Sequence, residues 1–461
     1  MNEVKEKNPL GYEGIPKLLG QFAVPSIIAM LVSSLYNLVD QIFIGRGVGY
    51  LGNSATTVAF PLTTICLAIT LTIGIGTAGR YSLYLGKGEE EHAAKTVGCG
   101  IVMMFGFGII YAILIELFIV PMLYAFGATE EVFPYALEYT RITAIGMPFI
   151  VIMNGMSHLA RSDGSPTYSM ITMIIGAVIN TILDPIFIFV CKWGVAGAAW
   201  ATVIGQMVSC VFAFMYVKKI KRITLRREHI KFSFKELGAT AMMGLSNGLT
   251  QVALTLVQIV MNNSLKHYGS LTEYGPSIPI ASSGNVMKVN SLVLAIVIGL
   301  IQGMSPIVGF NYGARQYDRV KAVYKLAIKC ELAITLAGFA VFEFFTEHVM
   351  SIFTSGGDEE RMFLDFSVRF MRIYLLLLPL AGIQMISSNF FSAIGKPVRG
   401  AVLSLTRQVL FFIPLVLILP LFMGINGIMT AAPVADLISF IVVMVFIVRE
   451  MKYMGTTVSD I

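Results

Sequence analysis

The chain has 461 residues, of which 56% are hydrophobic and only 13% are charged. A soluble globular protein has about a quarter of its residues charged, so the composition excludes a soluble enzyme or a soluble nucleic-acid-binding protein. The net charge of +6 does not indicate a nucleic-acid partner, because the basic residues lie in short loops between apolar runs.

The apolar residues come in runs of roughly twenty, long enough for helices that cross a hydrocarbon core of about 30 Å. Only helices or closed barrels satisfy their backbone groups in lipid. Barrel strands are about ten residues long with alternating polarity, and these runs are longer and apolar on all sides. The sequence therefore predicts an all-α membrane protein. About twelve spans are predicted, at residues 18–45, 53–80, 93–120, 131–158, 166–190, 195–218, 236–265, 281–311, 319–346, 361–392, 398–421 and 425–449.

Lys and Arg concentrate in every second loop, and the loops after odd-numbered spans have almost none. The positive-inside rule then predicts a multi-pass protein of the cell membrane with both termini in the cytoplasm. The first residues are polar and mixed in charge, unlike a cleavable signal peptide. The five cysteines show no Cys-x-x-Cys spacing and predict neither a disulfide framework nor a metal site. The loop after span six has the most basic residues: Lys218, Lys219, Lys221, Arg222, Arg226, Arg227, Lys231 and Lys235.

The chain contains a weak internal repeat. The sequence GTAGRYSLYLGKGEEEHAAK at 76–95 aligns with GMSPIVGFNYGARQYDRVKA at 303–322, and YTRITAIGMP at 139–148 aligns with FMRIYLLLLP at 370–379. Each half holds about six spans, so both halves have the same topology. A parallel repeat of this kind is typical of transporters that work by alternating access. We predict two pseudo-symmetric six-helix bundles: an amino-terminal lobe at 1–220, a cytoplasmic linker at 221–235 and a carboxy-terminal lobe at 236–461.

Ionisable groups deep in a span are costly and indicate function. Asp40 lies near the end of span one, and Asp184 lies in span five. Asn180 precedes Asp184 by four residues, so the two side chains share one helix face. Proline cannot donate the usual backbone bond, so we expect kinks at Pro25 and Pro185. The alternative for Asp184 is a structural hydrogen bond to a neighbouring helix.

Two chemistries suit such a site. A carboxylate in apolar surroundings can take up a proton near neutral pH. Alternatively, carboxylate, amide and hydroxyl oxygens together form a site for a hard cation such as Na⁺. Either ion would convert a gradient into a conformational bias, and the residues leave the choice open.

The carboxy-terminal half has polar residues of its own. Arg407 lies in span eleven and Asp436 in span twelve. An arginine in the membrane needs a partner, so we predict that the two form a structural pair, with a role in substrate binding as the open alternative.

The sequence resembles the MATE (multidrug and toxic compound extrusion) family of the MOP transporter superfamily. The matching pieces follow one another in order over nearly the whole chain. No one of them is specific alone, but the span-one aspartate, the Asn-x-x-x-Asp-Pro of span five and the repeated Gly and Pro elements are specific together. They are VPSIIAMLVSSLYNLVDQIFIG, SDGSPTYSMITMIIGAVINTILDPIFIF, GVAGAAWATVIGQ, GMSPIVGFNYGA and RQVLFFIPL.

The resemblance implies an antiporter that exchanges H⁺ or Na⁺ for amphipathic, cationic small organic molecules, with no cofactor. Spans seven and ten lack the acids found in another branch of the family, so we assign coupling to the amino-terminal lobe. We expect a monomer whose other partner is membrane lipid. The implied ion site comprises Asp40, Tyr139, Asn180, Asp184 and Thr202, with Asn154 as a further neighbour, and the Na⁺ ligands would come from Asp40, Asn180, Asp184 and Thr202.

Two other functions compete with this one. A flippase for lipid-linked precursors or oligosaccharides, from the same superfamily, would need several basic residues facing the cavity, and the sequence offers mainly Lys288 and Arg407. An intramembrane aspartyl protease would need a paired dyad, usually in a Gly-x-Gly-Asp setting. Neither Asp40 nor Asp184 has that setting, so we expect a transporter and not an enzyme.

Overall fold

The computed structural model describes residues 8–48, 50–128, 130–275, 277–351 and 358–454, and across these ranges the fold is helical without a strand. Within them, ten helices are long and apolar enough to cross a membrane, or eleven if one bent pair counts as a single span. The predicted all-α membrane fold is confirmed.

The amino-terminal lobe contains the first six spans. Its helices extend past the predicted apolar runs, since polar residues continue the helix beyond the lipid; α2, for example, has 38 residues. After Pro185, α5 continues as a π-helical turn, Ile186–Val190, because proline has no N–H for the regular bond. The helices are α1 (Ile15–Val48), α2 (Tyr50–Lys87), α3 (Glu90–Ala125), α4 (Phe133–Ser162), α5 (Pro166–Pro185) and α6 (Gly194–Met215).

The carboxy-terminal lobe is less regular. Span eleven contains a second π-helical segment, Thr406–Phe412, just before Pro414. The helices are α7 (Phe234–Gly269), α8 (Ser277–Gly313), α9 (Tyr317–Phe344), α10 (Thr346–Ser351), α11 (Asp358–Tyr374), α12 (Leu378–Ala393), α13 (Pro397–Leu405), α14 (Ile413–Ile418), α15 (Pro420–Met423) and α16 (Ile425–Tyr453).

Two predicted spans differ from simple apolar helices. Span ten is broken into α11 and α12, which meet at 50°. The break follows from Pro379 in the first turn of α12, a position that tolerates proline only where a helix begins. Span nine is the 28-residue helix α9, which carries Lys325, Lys329 and Glu331 and is not among the strongly apolar helices.

The two lobes pack together through glycines. A Cβ atom on Gly244 of α7 would lie 1.9 Å from the carbonyl oxygen of Thr72 on α2, and one on Gly76 would lie 2.1 Å from that of Thr240. Helices in membranes approach this closely where small residues face each other. Between α1 and α8, Gly299 meets Ile27 in the same way. The lobes are therefore in backbone contact along α1, α2, α7 and α8.

The start of α1 packs against the carboxy-terminal lobe. Leu18 and Phe22 belong to a buried apolar cluster formed mainly by α8, α9 and α12. Just before α1, the carbonyl oxygens of Leu10 and Glu13 accept hydrogen bonds from the Arg319 guanidinium, at 3.1 and 2.7 Å. The first span thus begins on one lobe and ends in the other.

The stretch between α6 and α7 packs on the amino-terminal lobe. The side chain of Asp163 accepts hydrogen bonds from the hydroxyl of Tyr216 at 2.6 Å and the backbone N–H of Lys221 at 3.0 Å. His229 is buried and contacts Glu91 at 3.1 Å. The lobe boundaries at residues 220 and 236 stay a prediction, but the basic stretch between them is held to one lobe.

Candidate functional site

Two aspartates meet inside the amino-terminal lobe. Asp40 on α1 is 9% exposed and Asp184 on α5 is fully buried. Their carboxyl groups lie within hydrogen-bonding reach of each other. Two ionised carboxylates in contact repel strongly in a medium of low dielectric constant, so this arrangement needs a bound proton or cation between them.

Asn180 and Thr202 complete one side of this group. In the amide orientation that satisfies both ends of the Asn180 side chain, its nitrogen donates to Oδ2 of Asp184 at 3.2 Å. Its oxygen then accepts from the Thr202 hydroxyl, also at 3.2 Å. The i, i+4 spacing read from the sequence thus places amide and carboxyl together on α5, and α6 supplies the hydroxyl.

Two tyrosines lie close to both carboxyl groups. Tyr139 on α4 and Tyr36 on α1 are near enough to interact electrostatically with Asp40 and Asp184. The side-chain nitrogen of Gln41 lies 3.5 Å from Oδ2 of Asp40. Four of the six spans of the lobe, α1, α4, α5 and α6, therefore contribute side chains to one polar cluster, the carboxyl cluster.

The oxygen atoms of the carboxyl cluster are of the kind that can hold a hard cation or a proton. Oδ1 of Asp40 is buried and has no hydrogen-bond donor among the described residues. The available ligands are carboxyl, amide and hydroxyl oxygens, which suit Na⁺ and not a soft metal. Within the described ranges, no three His, Cys, Asp or Glu residues are grouped so as to hold a metal ion. A proton shared by the two carboxyl groups would equally satisfy the orphaned oxygen.

Asn154 is not brought to the carboxyl cluster. Its amide donates to the carbonyl oxygen of Ile150 on its own helix, at 3.1 Å. It lies about 22 Å further along α4 than Tyr139, from the helical rise per residue. The two prolines singled out from the sequence lie in membrane-spanning helices: Pro25 lies inside α1, and Pro185 is the last residue of α5.

A cavity of about 400 Å³ lies between the two lobes. Its walls are largely apolar, with several side-chain amides. The basic and acidic side chains among its described lining residues are those of His158, Arg161, Arg407 and Asp436. Nε of Arg407 lies 2.6 Å from Oδ1 of Asp436, so the predicted pair forms across α16 and the π-helical segment of span eleven and faces the cavity.

Sequence reasoning missed several buried charged residues, among them Arg161 and Glu331. Arg161, 3% exposed at the end of α4, was hidden next to the loop sequence SDGSP. Glu331 on α9 is fully buried, and neither carboxyl oxygen has a hydrogen-bond partner within the described chain. It fits because it faces Gly382 of α12, where an added Cβ would lie 1.8 Å from Oε1. An acid in an apolar run was the available signal for Glu331, but its contact could not be read from spacing.

The whole chain is similar to bacterial export proteins. It is 24% identical to the multidrug export protein MepA of Staphylococcus aureus, over 98% of this chain and 97% of that one. It is 25% identical to MepA of Staphylococcus saprophyticus, over 93% of each chain.

Solved structures share its fold. A MOP superfamily transporter from Pyrococcus furiosus, described by its binding pocket of reverse polarity, superposes with a TM-score of 0.90 at 23% identity, covering 98% of this chain and 99% of that one. A multidrug resistance MATE transporter in an outward-facing conformation gives 0.88 at 24% identity, covering 99% and 100%.

The MatE family profile matches residues 25–186 and 248–418. The two matched ranges fall one in each lobe, as the internal repeat predicts. Members of this family are transporters and not enzymes. The sequence motifs and the two-lobe helical fold agree with this match. The chain therefore belongs to the MatE family of multidrug efflux transporters.

Proposed function

We propose that the chain is a secondary antiporter in which H⁺ or Na⁺, bound at the carboxyl cluster, is exchanged for an amphipathic small molecule held in the cavity between the lobes. The observation that carries this proposal is the contact between Asp40 and Asp184 inside an apolar lobe. Two acids so placed are stable together only with a cation or proton, so ion binding has a direct structural effect.

Coupling requires that the ion and the cargo influence each other through the protein. Asp40 lies on α1, whose first turns pack against the carboxy-terminal lobe. Occupancy of the carboxyl cluster can therefore bias the relation between the lobes. That is the differential effect on two conformations that alternating access requires.

The expectation of a cationic cargo depends on an unpaired acid in the cavity. Asp436 is the acidic residue among the described cavity-lining residues, and it is bonded to Arg407. The apolar walls and side-chain amides support an amphipathic cargo. The charge of that cargo depends on the other charged residues that line the cavity. A flippase for lipid-linked phosphates is less well supported, because Lys288 does not line this cavity.

The protein would act as a monomer in the cell membrane, with both termini in the cytoplasm. The basic stretch 218–235 supports this orientation. A cysteine placed in that stretch should be protected from an impermeant thiol reagent added to intact cells. Labelling from outside would reverse the proposed orientation.

An ion-swap experiment tests the coupling. Purified protein is reconstituted into vesicles, and dye export is driven either by a Na⁺ gradient at fixed pH or by a pH gradient without Na⁺. One of the two gradients should drive export at a rate well above that of protein-free vesicles. Export that responds to neither gradient would contradict an ion-coupled antiporter.

A further inference from the structure

One arginine in the cavity has no acid partner. Arg161 lies at the end of α4, 3% exposed, and lines the cavity. Its Nη1 donates to Oγ of Ser169 at 2.6 Å, and Nη2 lies 2.7 Å from Nδ1 of His158. No carboxylate of the described residues forms an ion pair with it, whereas the other arginine of the cavity, Arg407, is paired with Asp436.

The neighbours of Arg161 do not compensate its charge. A guanidinium only donates hydrogen bonds, so His158 accepts through Nδ1 and is neutral in this contact. Asp163, two residues away, is occupied by the hydroxyls of Tyr81 and Tyr216. The ionisable residues that line the cavity therefore leave one positive charge, and it lies at the end of the cavity where α4 finishes.

Two serine hydroxyls near the same end lack partners. Ser82 is 1% exposed and Ser392 is 4% exposed, and both line the cavity. Neither Oγ has a hydrogen-bond partner within the described part of the chain. Ser82 lies in the last turns of α2 and Ser392 in the last turn of α12, helices that run toward the same basic loops as α4. Both Oγ atoms are enclosed by protein, and that of Ser392 faces Gly400 of α13. The two serines therefore belong to the wall of the cavity, and Arg161 supplies its unpaired charge.

We propose that the end of the cavity at Arg161 binds the carboxylate of an amphipathic substrate, and that the exported molecules are organic anions or zwitterions. An unpaired guanidinium in a largely apolar cavity attracts an anionic oxygen strongly. The apolar walls then take the rest of the molecule. This inference rests on the proposed function, which places the cargo in the cavity. It concerns equilibrium binding, so testing it needs no ion gradient.

Three dansyl probes of matched size test it. Dansylglycine is an anion, its amide is neutral, and dansyl-ethylenediamine is a cation. Their fluorescence is titrated with purified protein in detergent, and protein-free micelles provide the background. The wild-type protein should bind dansylglycine about tenfold more tightly than either other probe, as expected for one charge-assisted contact. Equal affinities for the three probes would overturn the proposal.

Variants separate a charge contact from a structural role. R161Q should bring the three affinities within about twofold of one another, and R161K should keep most of the preference for the anion, because it keeps the charge. R141Q is the matched control, since Arg141 is an exposed arginine at the other end of the same helix. A merely structural Arg161 would instead weaken all three probes of R161Q equally, which would refute the binding role.

A further measurement needs no variant, in case the Arg161 substitutions prevent folding. Octanoate and octylammonium are compared as competitors of bound dansylglycine on the wild-type protein. Octanoate should displace the probe at about one tenth of the concentration. Equal potency would contradict an anion-binding end. Because no gradient is applied, a failure here is distinct from a failure of ion coupling, which would leave the binding preference intact.

Discussion

The two lobes share a backbone plan but differ in the charge beside the π-helical segment of the repeated span. In the amino-terminal lobe two acids, Asp40 and Asp184, lie against each other, and no basic residue of the described ranges forms an ion pair with them. In the carboxy-terminal lobe the acid Asp436 is neutralised by Arg407 at 2.6 Å. Both lobes have a π-helical segment beside a proline in the repeated span. The duplication has thus kept the irregular helix and changed the charge beside it, so an ion site made of two facing acids is expected in the amino-terminal lobe and not at the repeated span of the other lobe.

The largest effect is expected from Asp184→Asn. Removing this carboxyl abolishes the site for the proton or cation, so gradient-driven export should fall to the level of protein-free vesicles. The protein should stay folded, because a neutral amide relieves the contact between two acids. Export in reconstituted vesicles and the elution profile of the purified protein are measured together, with Asp318→Asn at the exposed start of α9 as the matched control. Wild-type export by Asp184→Asn would remove the difference between the lobes.

The acid of the other lobe should act on stability. Asp436→Asn leaves the Arg407 guanidinium, whose side chain is 20% exposed, without its partner. Breaking a fully buried ion pair costs about 3–5 kcal/mol, and this value is an upper bound for a pair that borders a cavity. The thermal midpoint of the purified protein should therefore drop, in contrast to Asp184→Asn. The double variant R407L/D436L should recover most of that loss, since an apolar pair of similar size removes both charges. An unchanged midpoint for Asp436→Asn would mean that the pair is not structural.

A smaller effect is expected where Glu331 faces Gly382. Gly382→Ala places a methyl group against the carboxyl of Glu331, and overpacking of this kind costs about 1–3 kcal/mol. In a Glu331→Ala background the same change should cost much less, because the obstructing side chain is gone. Thermal midpoints of the four proteins form a double-mutant cycle. Equal costs in both backgrounds would show that the two residues are not in contact.

The smallest effect is expected for an ion pair at the rim of the amino-terminal lobe. Arg141 and Glu116 lie 3.9 Å apart with side chains 59% and 48% exposed. Exposed pairs are worth about 0–1 kcal/mol, so Arg141→Gln should leave the thermal midpoint almost unchanged. A fall in the thermal midpoint as large as that of Asp436→Asn would mean that burial does not determine how much an ion pair contributes to the stability of this protein.

Features that depend on residues close together in the sequence could be predicted. Apolar length predicted the spans, the four-residue spacing placed Asn180 and Asp184 on one face, and the cost of a charge in lipid suggested the pair Arg407 and Asp436. The break before α12 was not predicted, because the leucines before Pro379 continue the apolar run and a proline inside a span can also produce only a kink.

Contacts between distant elements were beyond it. Glu331 reaches a glycine on another helix. The importance of Arg161 emerged only when the structure showed that it lines a cavity and forms no ion pair with the described residues. The packing of the basic stretch against Asp163 also depends on the folded lobe. The family resemblance suggested that Asn154 is a neighbour of the carboxyl cluster. A resemblance does not determine how far apart two residues lie along a helix, and Asn154 lies several turns away from Tyr139.

The course of α1 has a mechanical consequence. Its first turns, around Phe22, are clamped to the carboxy-terminal lobe through the close approach of Ala23 and Ile27 to glycines of α8. Its later turns carry Asp40 into the interior of the amino-terminal lobe. The start of α1 is therefore attached to one lobe and its end to the other. Any hinge motion between those lobes has to be absorbed as curvature along this one helix, where Pro25 already removes a backbone hydrogen bond. The carboxyl cluster therefore includes a residue of the helix that has to bend.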